Sequence, residues 1–160
     1  MHVGLHVSQV QNVTSMTLFP YAHVVSGVLI FIVGFCFHWV GQFISVVNWG
    51  LAERLGLQEK GMLKEYKVYE HAIAVSDAAI GWIYGIAAIG LVLDKEWGFK
   101  LAWIPGGILI YHAIGAWVWE RNRRLAGQQL WSNSIRILWC SANAITGLLA
   151  ILVAWVGHNG

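Results

Sequence analysis

Apolar residues run almost unbroken through four stretches, with polar and charged residues gathered between them. The first stretch extends from about Leu18 to Trp49, the second from His71 to Leu93, the third from Phe99 to Trp119 and the fourth from Ile135 to Val156. Each is long enough to cross a bilayer core, which takes about 20 helical residues. The runs are continuous where barrel strands would alternate. Lipid leaves no backbone polar group a partner outside the segment, so each run is expected to be a helix. The first run exceeds one crossing and is expected to tilt or project into water. The pattern predicts an all-α integral membrane protein, a single four-transmembrane-helix bundle spanning 1–160.

Charge orients the bundle. Arg54, Lys60, Lys64 and Lys67 lie in the loop 50–70 after the first span, and Arg121, Arg123, Arg124 and Arg136 lie in or beside the loop 120–134. Lys95 and Lys100 alone fall at the opposite ends, next to Asp94 and Glu96. The positive-inside rule puts the eight on the cytoplasmic side and both termini outside, N-out/C-out. No basic start precedes the first apolar run, so a cleaved signal peptide is not expected. Leu51 to Tyr69 mixes charges with Leu55, Leu57, Met62 and Tyr66. It reads either as an amphipathic stretch at the interface or as a helical extension of the second span.

Composition then narrows the class. Of 160 residues, 58% are hydrophobic and 11% charged, and the mean hydropathy is +0.60. A soluble domain carries about a quarter charged residues, so a soluble enzyme and a nucleic-acid binder are excluded. Two cysteines rule out a disulfide scaffold. The expected partners are the lipid bilayer, neighbouring membrane subunits or further copies of the chain, and a quinone. The expected location is the bacterial inner membrane.

The chemistry lies inside the spans. On a 100° wheel His23, Gly27, Gly34, His38, Gly41 and Ser45 share one face of the first helix. Ionisable residues within a span are functional candidates, and small residues let a flat ligand or another backbone approach. His71 opens the second span on a face with Ala74, Ala78 and Gly85. Asp77 falls off that face, in line with Glu70 and Tyr84. His112 lies on the third span, and the fourth offers Ser141, Asn143 and Thr146. By depth His38, His71 and His112 converge in the inner half. His23 is left near the outer surface, about 22 Å away from His38 along the axis, unless the terminal His2, His6 or His158 joins it.

Four readings follow. In the first, two of His38, His71 and His112 ligate a b-type haem, with Gly34 and Gly41 giving the porphyrin room. The protein is then an electron-transfer subunit of a membrane redox complex. In the second, His38, His71, His112 and His23 supply ligands for non-haem iron, copper or zinc, with Glu70 or Asp77 adding a carboxylate or handling protons, in a metal-dependent membrane enzyme. In the third, Asp77, Glu70, His71, Tyr84 and Asn143 line a proton or solute path, although Pro20 and Pro105 near the helix ends do not break a span. In the fourth, the chain is a non-catalytic accessory subunit whose glycines, Gly81 and Gly85 among them, pack against other helices.

Overall fold

A computed structural model describes residues 18–127 and 132–158, and among these every regular element is helical. Four long helices dominate: α1 (Ala22–Val47), α3 (Lys64–Val92), α4 (Glu96–Leu125) and α5 (Asn133–His158). Each is long and apolar enough to cross a membrane. A short helix, α2 (Trp49–Leu55), follows α1 after Asn48, whose side chain caps it by accepting from the Leu51 N–H at 2.9 Å.

The helix bounds depart from the apolar runs in instructive ways. α1 stops at Val47, and the segment to Leu63 splits into α2 and turns through Gly56 and Gly61, both at φ +74°. The helical extension of the second span is real but begins only at Lys64. Pro105 lies well inside α4, nine residues after its start, and the helix continues through it. Asp94, at φ 51°, turns the chain tightly from α3 into α4. Aspartate tolerates this left-handed conformation better than most residues.

Two backbones are irregular at the same level. Ile30–Val40, the middle of α1, is π-helical, a form rare in proteins and concentrated at functional sites. Ile30, Gly34 and His38 of this segment all face inward and are buried. Opposite, α3 breaks at Gly81. There Trp39 Nε1 donates to the Ala78 carbonyl at 3.0 Å. A Cβ on Gly81 would meet the Trp39 ring at 2.7 Å, so only glycine accommodates the indole.

The two ends of the bundle differ. One, the basic end, carries Arg54, Lys60, Lys64, Lys67, Arg121, Arg123, Arg124 and Arg136. The half toward the other, the Asp94 end, has an apolar core of Ile30, Ala88, Leu91, Ala102, Leu109, Ala150 and Val153. Its helices approach through glycines: a Cβ on Gly147 would lie 2.8 Å from the Gly106 carbonyl oxygen, and one on Gly98 would run into the Gly90 backbone. Gly81 and Gly85 differ, for they receive the rings of Trp39 and Phe35 rather than another backbone. Large apolar side chains such as Phe31, Ile86, Ile104, Ile114, Leu148 and Trp155 point outward around the bundle.

Candidate metal site

Each long helix sends one polar side chain to the bundle centre: His38 from α1, Asp77 from α3, His112 from α4 and Asn143 from α5. One nitrogen or oxygen from each of His38, Asp77 and His112 lies within 4.8 Å of the others. His38 is 5% exposed. The side chains of Asp77 and His112 are 13% and 14% exposed, and Asp77 Oδ1 stands 3.3 Å from His112 Nε2. The imidazole centroids of His38 and His112 are 4.5 Å apart. Trp139 flanks His38 at 4.9 Å and Tyr84 lies nearly parallel to it at 6.3 Å.

Asn143 sets the chemical state of His38. Its Nδ2 donates to the Trp139 carbonyl at 2.8 Å, which turns Oδ1 toward His38 Nε2, 2.6 Å away. An amide oxygen only accepts, so Nε2 carries the proton and donates. Nδ1 is left with the lone pair. Metal-ligating histidines are held in this way, the second ring nitrogen donating to a neighbouring oxygen.

Two buried polar atoms here have no hydrogen-bond partner: Asp77 Oδ2 and the Tyr84 hydroxyl. Leaving such a group unsatisfied costs about 1–3 kcal/mol, more when it is charged. A bound ion is one of the ordinary ways in which such a group is satisfied. The spacing suits a cation. Ligands about 2.0–2.1 Å from a tetrahedral ion lie about 3.3–3.4 Å apart, close to the Asp77–His112 separation of 3.3 Å. That separation is beyond the usual range of an N–H···O hydrogen bond.

A haem fits poorly. Two imidazoles bound to opposite faces of one iron, each at about 2 Å, would hold their ring centroids about 6 Å apart with the macrocycle between them. The observed 4.5 Å leaves no such space. Gly34, expected to face a flat cofactor, faces the flat ring of Tyr84, with which a Cβ at this position would collide. Gly41 faces Leu57 of the loop beyond α2.

The other sequence candidates lie elsewhere. His71 is exposed and sits beside the Trp49 ring at 6.2 Å. The inward line of α3 is Glu70, Asp77 and Tyr84 instead. His23 pairs with Asp94 at 4.0 Å near the other end. Glu70 is half-buried, with Arg123, Asp77, Glu59 and Glu120 as its charged neighbours. Arg123 there binds Glu59 at 3.0 Å and stacks over Tyr66. His2, His6 and the side chain of His158 lie outside the described residues.

Asn143 and Tyr84 were legible in the sequence only as polar residues within spans. The signal for Tyr84 is its seven-residue spacing from Asp77, with Gly34 on the facing helix.

The chain matches no family model, no curated protein and no solved structure. The geometry therefore carries the functional argument alone.

Proposed function

We propose that the protein is an integral membrane subunit that holds one divalent transition-metal ion between His38, Asp77 and His112 and serves a membrane redox complex. The observation that carries this reading is the cluster of two histidines and one carboxylate, His38 buried and the other two partly so, with the buried Asp77 Oδ2 left unpartnered. Two histidines and one carboxylate with open positions are the ligand set of non-haem iron(II) sites. Three protein ligands, rather than four, distinguish reactive sites from purely structural ones. Iron(II) is thus the first candidate, with zinc and copper next. The ion would supply Lewis acidity or electron exchange at the bundle centre. Asp77 offsets its charge, and Asn143 holds His38 in the ligating tautomer.

The membrane assignment draws on the four apolar helices and the outward ring of large apolar side chains. Lipid is the solvent that would cover them. The basic end is assigned to the cytoplasm, giving N-out/C-out topology in a bacterial inner membrane. A quinone and neighbouring membrane subunits are the proposed electron-transfer partners.

The test is metal analysis of the detergent-purified full chain, with absorption spectra of oxidised and reduced samples. Near-stoichiometric metal in the parent protein, absent from His112→Ala and with no haem bands, supports the reading. A haem spectrum would replace it with the porphyrin reading. Absence of any metal after saturation with iron(II), copper or zinc would leave an accessory subunit.

A further inference from the structure

Tyr84 is a buried tyrosine whose hydroxyl has no partner, beside a three-ligand cluster that also contains an unpartnered carboxylate oxygen. Both residues neighbour His38. Tyr84 lies seven residues after Asp77 on α3, about 10 Å along the axis. Helical side chains slant toward the N-terminus, so the phenol leans back toward Asp77. The Tyr84 ring also lies nearly parallel to His38. Gly34 makes this placement possible, since any Cβ there would collide with the ring. A phenylalanine would fill the same space without a buried hydroxyl to satisfy, so packing alone does not account for tyrosine.

We propose that the Tyr84 hydroxyl holds a small oxygen or anionic ligand at a coordination position that His38, Asp77 and His112 leave open. The inference rests on the metal reading above and specifies what the site takes besides the ion: water or hydroxide at rest, and a small exchangeable anion or oxygen-donor substrate in its place. Tyr84 acts as a hydrogen-bond donor to that ligand and does not coordinate the ion itself. It is a positioning residue.

The experiment uses the full chain in detergent, loaded with cobalt(II) as a spectroscopic substitute, and azide as the small-anion probe. Cobalt affinity and azide affinity are read separately from the visible bands. Tyr84→Phe should weaken azide binding about tenfold, the loss expected for one hydrogen bond to a charged acceptor, and leave cobalt affinity within about threefold. Its thermal midpoint without metal should be unchanged or higher, because the substitution removes only an unpartnered hydroxyl. Gly34→Ala, which displaces the same ring, should weaken azide binding similarly and add little in the double variant.

Equal azide affinity in the parent protein and Tyr84→Phe would overturn the Tyr84 role and leave the metal site standing. Failure of azide to perturb the parent spectrum would overturn the open position. Loss of cobalt from Tyr84→Phe would make Tyr84 a direct ligand and contradict the positioning role. Failure of the parent protein to bind cobalt would sink the metal reading, and this inference with it.

Discussion

The two halves of the bundle are built on opposite principles. Toward the Asp94 end, helices touch backbone to backbone through Gly90, Gly98, Gly106 and Gly147, around a core of Ile30, Leu91, Leu109 and Val153. Toward the basic end, helix interiors carry His38, Asp77, His112 and Asn143, and then Glu70, Glu120 and Arg123. The half toward the Asp94 end gains stability from close packing of its helices. The polar half leaves Asp77 Oδ2 and the Tyr84 hydroxyl unpartnered, and the Asp94-end half leaves only the Ser26 hydroxyl so among the described residues. Irregular backbone is also found at this level, in the π-helical turn of α1 and the break of α3 at Gly81. Membrane helices tolerate such irregularity where protein covers it. In the proposed reading one half is a clamp and the other the site it holds.

The largest effect should come from loosening the clamp. Gly147→Leu places a side chain where even a Cβ meets the Gly106 carbonyl at 2.8 Å. Overpacking of this kind costs about 1–3 kcal/mol or more, and backbone on the far side cannot rotate away. We expect loss of a monodisperse folded protein in size-exclusion chromatography. Gly107→Ala and Gly115→Ala, where the added Cβ meets nothing within 4 Å, should keep the thermal midpoint or raise it. Equal damage at all three positions would erase the contrast between clamp and surface.

Next comes Asp77→Asn, which should act in opposite directions on the two properties. Metal affinity should fall by at least about 100-fold, more than the 10–100-fold typical for an outer partner. Metal-free stability should rise by about 1 kcal/mol, because a partly unpartnered buried carboxylate becomes a neutral amide. Calorimetric metal titration and thermal melts on one preparation read both. Lower metal-free stability would mean that the carboxylate is already well paired with His112, without an ion.

A smaller effect is expected for Asn143→Ala. It removes the acceptor that fixes the His38 tautomer, and metal affinity should fall about 10–100-fold with the stoichiometry retained at saturating metal. Isothermal titration measures it, and unchanged affinity would show that Asn143 serves packing alone. The smallest effect is Trp39→Phe, which loses the bond to the Ala78 carbonyl and should cost about 1 kcal/mol in a denaturation series with little change in metal stoichiometry.

Much of this contrast was legible in the chain itself. The four helices follow from apolar runs too long and continuous for anything else. His38 and His112 were brought together by depth alone, because antiparallel helices of known rise put them at one level. Two features escaped. A uniform 100° wheel places Asp77 off the inward face and His71 on it. The observed α3 begins at Lys64, breaks at Gly81 and turns Glu70, Asp77 and Tyr84 inward, leaving His71 beside Trp49. A regular wheel puts Gly34 and His38 on one face but gives no sign that the turn carrying them is π-helical. The glycine face of α1 has room for a flat ligand or another helix, and at Gly34 it takes a flat side chain of the protein's own α3. Spacing marks where a ring can lie and does not say whose ring it is.

The most direct test of a metal held by His38, Asp77 and His112 is X-ray absorption at the metal edge of the iron- or zinc-loaded full chain, with His112→Ala alongside. The expected spectrum has a first shell of nitrogen and oxygen at about 2.0–2.2 Å with scattering from two imidazoles, falling to one imidazole or to no bound metal in the variant. A sulfur shell at about 2.3 Å, a porphyrin pattern, or a parent-like spectrum from His112→Ala would contradict it.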